Sequence, residues 1–144
     1  MGTRSNIGIL HEDGTTTLVY CHFDGYPSSV GRILLHHYAS EDAANGLVAL
    51  GDMSSLGENI LPPEGVKHSY ENRVEGVTVY YSRDRGEDWN GVKPQTLQPG
   101  ENPLQQEWCY LWDVRQGCWI FVGHPPHTSF KKLEEKYFKD QDEE

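Results

Sequence analysis

Eight consecutive residues, Tyr20-Cys21-His22-Phe23-Asp24-Gly25-Tyr26-Pro27, gather a histidine, a carboxylate and two tyrosines around one glycine. Alternation over 15–23 puts Val19, Cys21 and Phe23 on the apolar side of a strand, with Tyr20 and His22 opposite. A second alternating run at 3–11 is joined to it by Glu12-Asp13-Gly14, which is turn chemistry. A hairpin closed there sets Asn6 opposite Tyr20 and Arg4 opposite His22, with Asp24 diagonal to Arg4. The resulting face of Arg4, Asn6, Tyr20, His22 and Asp24 offers flat rings for stacking and directed hydrogen-bond donors. The same face also fits an ordinary solvated strand surface, on which an Arg4–Asp24 pair contributes under about 1 kcal/mol.

The next residues extend the binding reading. Ser28 or Ser29 is suited to cap a helix, and Ser28, Ser29, Gly31 and Arg32 would bring hydroxyls, open backbone N–H groups and a cation to its start. Helix N-termini favour phosphates and carboxylates, and Tyr26 is placed to stack a base. An ordinary cap with a surface arginine is the plainer account. A second rich stretch, Tyr80-Tyr81-Ser82-Arg83-Asp84-Arg85-Gly86-Glu87-Asp88-Trp89, sets two arginines among aromatics, which suits a purine and its phosphates. Tyr80 and Arg83 are its candidates, against a reading of mutually compensated charges. The candidate ligand-binding set is therefore Arg4, Asn6, Tyr20, His22, Asp24, Tyr26, Ser28, Arg32, Tyr80 and Arg83.

Catalytic signatures are sparse. His22 and Asp24 alternate on one strand face and could share a metal, but no third ligand is named by the sequence. His36 and His37 point about 100° apart on a helix; His37 falls on the apolar face and is assigned to the core, His36 to solvent. His124-Pro125-Pro126-His127 reads as a stiff linker. There is no nucleophile elbow, Walker loop or G-x-G-x-x-G. The expectation is binding without turnover, with no catalytic residue, metal or cofactor. A metal- or His-dependent hydrolase is the enzymatic alternative.

The elements that must position these residues follow from periodicity. Val30, Ile33, Leu34, His37 and Tyr38 share one helical face. A second helix starts at Ser40-Glu41-Asp42 and runs to Leu50, stopped by Gly51. The span 52–76 is Gly-, Pro- and Ser-rich loop, 77–81 is a strand, and 84–107 is a polar loop anchored by Trp89. Strands 108–112 and 118–122 form a second hairpin, and Ser129 caps a helix over 130–138. The order predicts an α+β fold: an antiparallel sheet of about five strands, two hairpins plus a central strand, with helices packed on one face. Strands 15–23 and 77–82 are candidate neighbours. Residues 1–128 are read as one domain, and 129–144 as a short helix and an acidic disordered tail.

Composition narrows the classes. With 12 basic and 22 acidic residues the net charge is −10, so direct nucleic-acid binding, which needs Lys and Arg on phosphates, is not expected. Much of the acid lies in the last dozen residues, where a solvated tail explains it. No stretch reaches the roughly 20 apolar residues of a membrane span, there is no signal-peptide h-region, and Asn6 stands where a myristoylation pattern wants Ser or Thr. A cytoplasmic protein is expected. Cys21, Cys109 and Cys118 form an odd set without C-x-x-C and read as buried free thiols. Four tryptophans and eight tyrosines are many for a lean core and fit self-association into a homo-oligomer.

The start Met1-Gly2-Thr3-Arg4-Ser5, the motif Tyr20-Cys21-His22-Phe23-Asp24-Gly25-Tyr26 and the Leu34-Leu35-x-x-Tyr38 pattern together resemble a family of small, uncharacterised bacteriophage and prophage proteins. The likeness is close over about the first 60 residues and looser beyond, through Leu47-Val48-Ala49-Leu50-Gly51-Asp52 and Arg83-Asp84-Arg85-Gly86. Members often carry Trp where Phe23 stands. The family brings a context rather than an activity: a phage accessory protein in the host cytoplasm that disables a host process. Sequestration of a small anionic, nucleotide-like immune signal is the expected route. Blocking a host or defence protein through an acidic surface is the alternative.

Overall fold

A computed structural model of the protein describes residues 3–123 and 129–138. Its sheet is organised around β1 (Ser5–Leu10), which pairs antiparallel with β2 (Thr16–Cys21) and parallel with β6 (Trp108–Asp113). The hairpin register is the expected one, with Asn6 opposite Tyr20 and Ile7 opposite Val19. Its turn is fixed locally. The Asp13 carboxylate accepts from the Thr15 N–H at 2.9 Å, the His11 N–H donates to the Thr15 carbonyl at 2.9 Å, and Gly14 supplies a φ of 92°. Only glycine adopts that last angle without strain.

The sheet is larger than expected and not purely antiparallel. Adding β3 (Met53–Ser55), β4 (Val79–Tyr80), β7 (Cys118–Gly123) and β8 (Lys131–Lys132) gives the order β4-β3-β2-β1-β6-β7-β8, with β5 (Gln95–Leu97) pairing β2 off that path. The two predicted hairpins meet through the parallel β1–β6 ladder. The runs Trp108–Trp112 and Cys118–Val122 are apolar or aromatic without a break, as strands buried on both faces should be. The expected pairing of 15–23 with 77–82 fails because β3 lies between them. The strand expected at 77–81 keeps only Val79–Tyr80 before the chain turns into a helix.

Two helices cover one face of the sheet. Ile7, Ile9, Val19, Tyr110, Trp119 and Phe121 face α1 (Arg32–His37) and α2 (Glu41–Val48), which contribute Leu34, Ala44, Leu47 and Val48 to a common core. A side chain such as Leu34, fully out of water, contributes about 1.5–3 kcal/mol. The Ser40 side chain accepts from the Ala43 N–H at 3.1 Å and caps α2, which begins where expected but ends at Val48 instead of Leu50. The opposite face is closed too. Leu97, Leu104 and Phe130 lie over Leu18, Cys109, Leu111, Ile120 and Val122 in a second, smaller core.

Two helix expectations are corrected. The first helix begins as one π-helical turn, Pro27–Gly31, with Tyr26 at the cap position and no side-chain cap from either serine. Pro27 has no N–H to satisfy and its fixed φ starts the turn before the serines are reached. Gly31 serves packing: a Cβ there would stand 3.3 Å from Tyr110, Leu133 and Phe138. In the C-terminal segment, the helix expected over 130–138 is instead β8, laid on the edge of β7, and only 136–138 are helical. Leu133 and Phe138 are buried in the main core. The His124–His127 linker and the acidic tail lie outside the described residues. Among the described residues no helix is long and apolar enough to cross a membrane.

The turn at Asp24-Gly25 is tied to the sheet centre by the buried Tyr110 hydroxyl, which donates to the Gly25 carbonyl at 2.6 Å. Tyr110→Phe keeps the ring and removes the donor. It should lower stability by about 1–3 kcal/mol, read as a lower denaturant midpoint at unchanged slope.

Candidate functional site

The predicted face is only partly a surface. Arg4 is exposed, but its main chain bonds Glu107 in both directions at 3.2 Å, and its side chain makes no ion pair with Asp24. Asn6 is 1% exposed. Its amide donates to the Val19 carbonyl at 3.3 Å and accepts from the Gln105 N–H at 3.1 Å, so the 98–107 segment covers it. Asp24 is the turn residue itself, with φ 57° and its carbonyl accepting from the Val30 N–H at 3.2 Å.

The sheet also divides the predicted site. Tyr20 and His22 project from the side opposite Val19 and Cys21, whereas the Pro27–Gly31 turn and α1 pack on the Val19 side. Ser28 is buried, Tyr26 is half-buried at the cap position, and the Arg32 guanidinium lies 5.6 Å from the centre of the Phe138 ring. The expected joint site of strand face and helix start is therefore not assembled. His37, assigned to the core, is instead exposed beside Glu58 at 3.7 Å. The helix face turns before reaching it, with Tyr38 taking the buried position.

The second stretch contributes a buried frame. Tyr80 is fully buried and its hydroxyl donates to the Leu47 carbonyl. Asp84, in α3 (Tyr81–Arg85), accepts from the Tyr80 N–H at 2.7 Å and from both Nε and Nη2 of Arg83 at 2.9 Å. Arg83 reaches on to the carbonyls of Ile60 at 2.6 Å and Thr78 at 2.9 Å. His68 and Asp84 side chains are each 2% exposed, with His68 Nε2 3.6 Å from the carboxylate. The donors of Arg83 are thus largely committed within the fold.

Arg85 is placed differently. Its guanidinium lies 4.3 Å from the Tyr70 ring centre and 5.0 Å from that of Tyr81. Arg73 lies 5.4 Å from the same Tyr70 ring. Neither guanidinium makes a hydrogen bond or ion pair among the described residues. Tyr81 leads back to the first stretch. Its hydroxyl pKa is raised, first by burial and then by the neighbouring Tyr20 hydroxyl. Tyr20 in turn sets its hydroxyl 2.6 Å from His22 Nδ1, and Phe23 meets the His22 ring edge-on at 4.5 Å. The two stretches singled out in the sequence are joined here, as a strip running Phe23, His22, Tyr20, Tyr81, Arg85, Tyr70 and Arg73.

Arg85, Tyr70 and Arg73 were not among the predicted residues. The signal for the last two was the long 52–76 loop, since such loops inside compact domains are commonly functional. Arg73 also borders a cleft of about 660 Å³ between α1 and the segments 55–59 and 73–79. Among the described residues no group of three or more His, Cys, Asp or Glu is placed to hold a metal. Burial pushes the Cys21 thiol up to about 12 and raises Cys109 as well, so both remain protonated at neutral pH.

Comparison with models of known protein families, with curated proteins and with solved structures finds no match to this chain.

Two predictions arise from these carboxylates. Asp84→Ala leaves the Tyr80 N–H and the Arg83 fork without their acceptor; it should cost about 3–5 kcal/mol and speed amide exchange across 60–78. Asp52 stands at the edge of the strip, half-buried, accepting the Tyr20 N–H at 2.9 Å. Burial raises its pKa from 3.8 to about 6. A carboxyl raised in the folded state holds its proton longer there than in the unfolded chain, so stability falls as pH rises from about 4 to about 6. Asp52→Asn should abolish that fall. After allowance for solvent screening, the gain at pH 7 is on the order of 1 kcal/mol, read from melts across pH 4–7.

Proposed function

We propose that this chain binds and holds, without converting it, a small anionic, nucleotide-like molecule on the aromatic–arginine strip. In the context implied by its phage-family resemblance, it is an accessory protein of the host cytoplasm that withdraws a host-defence signal. One observation carries the reading. In a chain of net charge −10, Arg73 and Arg85 flank the 41%-exposed Tyr70 ring with no acidic partner among the described residues. Arginines paired with carboxylates serve the fold, as Arg83 does. Arginines set against rings with open donors suit phosphate oxygens.

The neighbouring groups supply the rest of such a site. Tyr20, His22 and Phe23 continue the strip as flat ring surface beside the arginines, and the Tyr20–His22 hydrogen bond holds both rings in place. A charge-assisted bond from Arg85 to a phosphate contributes about 1.5–3 kcal/mol. The protonated thiols offer no ready nucleophile, which favours stoichiometric holding. The second reading, a block on a host or defence protein, draws on the exposed Phe23, Tyr70 and Trp89, since aromatic residues and arginine dominate binding hot spots.

Calorimetry against mono-, di- and cyclic nucleotides tests the proposal. Wild type should bind at least one of them and release it intact on heating. Arg85→Ala should weaken binding at least tenfold, and Arg4→Ala should leave it within twofold. Chemically altered ligand would make the protein an enzyme. Binding indifferent to Arg85→Ala would place the site elsewhere, and a protein retained by wild type but not by Arg85→Ala, with no nucleotide bound, would favour the blocking reading.

A further inference from the structure

The arginines of the strip account for an anion but not for the cleft beside them. We infer that the ligand is a ribonucleotide whose nucleoside part enters the cleft between α1 and the segments 55–59 and 73–79, while its phosphates stay with Arg73 and Arg85. This rests on the reading given above and assigns the class of molecule it takes.

The cleft measures about 660 Å³, within the roughly 300–1,000 Å³ of small-molecule sites. Its apolar walls include Ile33, Leu56, Val77 and Val79, which can flank a planar base. The backbone closes in behind them. Gly57 approaches the other wall so closely that a Cβ on it would stand 2.5 Å from the Gly76 carbonyl oxygen. Thr78 locks that approach, its hydroxyl accepting the Gly57 N–H at 2.9 Å.

Polar groups in the cleft set the orientation. Glu58 and Glu75 both line it, and carboxylates repel a phosphate but accept hydrogen bonds from hydroxyls. A ribose diol satisfies them. Asn59, also in the lining, carries a donor and an acceptor on one amide and matches the edge of a base. Arg73 is the cation of this lining, and it is also the residue shared with the Tyr70–Arg85 end of the strip. Phosphate at the arginines and sugar at the carboxylates is thus the arrangement that leaves no like charges facing.

The experiment is calorimetry with the four ribonucleoside 5′-monophosphates, their 2′-deoxy counterparts and inorganic pyrophosphate. The proteins are wild type, the double variant Glu58→Gln with Glu75→Gln, and Arg85→Ala. Both glutamates are exposed, so the double variant should fold, checked by its melting temperature. At least one ribonucleotide should bind wild type tenfold or more tighter than its deoxy counterpart and than pyrophosphate, and the double variant should lose that preference. Ribo and deoxy forms binding equally, still weakened by Arg85→Ala, would overturn this inference and leave the anion site standing. A ribose preference that survives the double variant would move the sugar out of the cleft. Binding of pyrophosphate but of none of the eight nucleotides, or of no probe at all, would likewise overturn it; only the latter would also remove support from the nucleotide reading.

Discussion

The buried Asp84 carboxylate is the interaction on which the exposed parts of this protein depend. It is taken out of water, so it must be neutralised and hydrogen-bonded, and the Arg83 fork and the Tyr80 N–H do both. Arg83 then extends to the Ile60 and Thr78 carbonyls, which ties both ends of the 60–78 excursion to one cation. His68 completes the arrangement. Its Nδ1 accepts the Val74 N–H at 3.0 Å, which leaves Nε2 as the ring's donor, and Nε2 donates to the Thr78 carbonyl at 3.1 Å. A segment with few apolar residues is held by polar bonds instead of a core of its own. Tyr70, Arg73 and one wall of the cleft are carried on it.

How far this was legible in the sequence depended on the range of the signal. The first hairpin was readable to the residue, because Asp13 and Gly14 fix the turn and the turn fixes the register. The parallel β1–β6 ladder was not, since no local pattern reports which distant strand an edge will meet. Three-residue strands such as Met53–Ser55 and Gln95–Leu97 are too short to show a period at all. Asn6 looked like a surface residue because its neighbours alternate, yet the cover over it comes from Gln105.

The candidate site divided in the same way. Tyr20 and His22 kept the relation the strand period gives them, two apart on one face. Arg83 and Arg85 exchanged roles with respect to the sequence reading. Both flank Asp84 in the chain, and nothing in composition says which one the carboxylate will claim. The answer is geometric: Tyr80 and Ile60 lie on the Arg83 side of α3, while Tyr70 and Tyr81 lie on the Arg85 side.

The parallel pairing of β1 with β6 has a consequence for how the chain is made. Arg4 and Glu107, which close its first rung, stand 103 residues apart, so the sheet cannot close while the chain is still short. During synthesis the first hairpin can form early, but one long edge of β1 stays open until β6, about a hundred residues later, has emerged. Contacts of such long range slow folding, and an open edge invites pairing with another chain. Asn6 and Gly8 place little apolar surface on one face of the strand beside that edge, less than a uniformly apolar strand would offer.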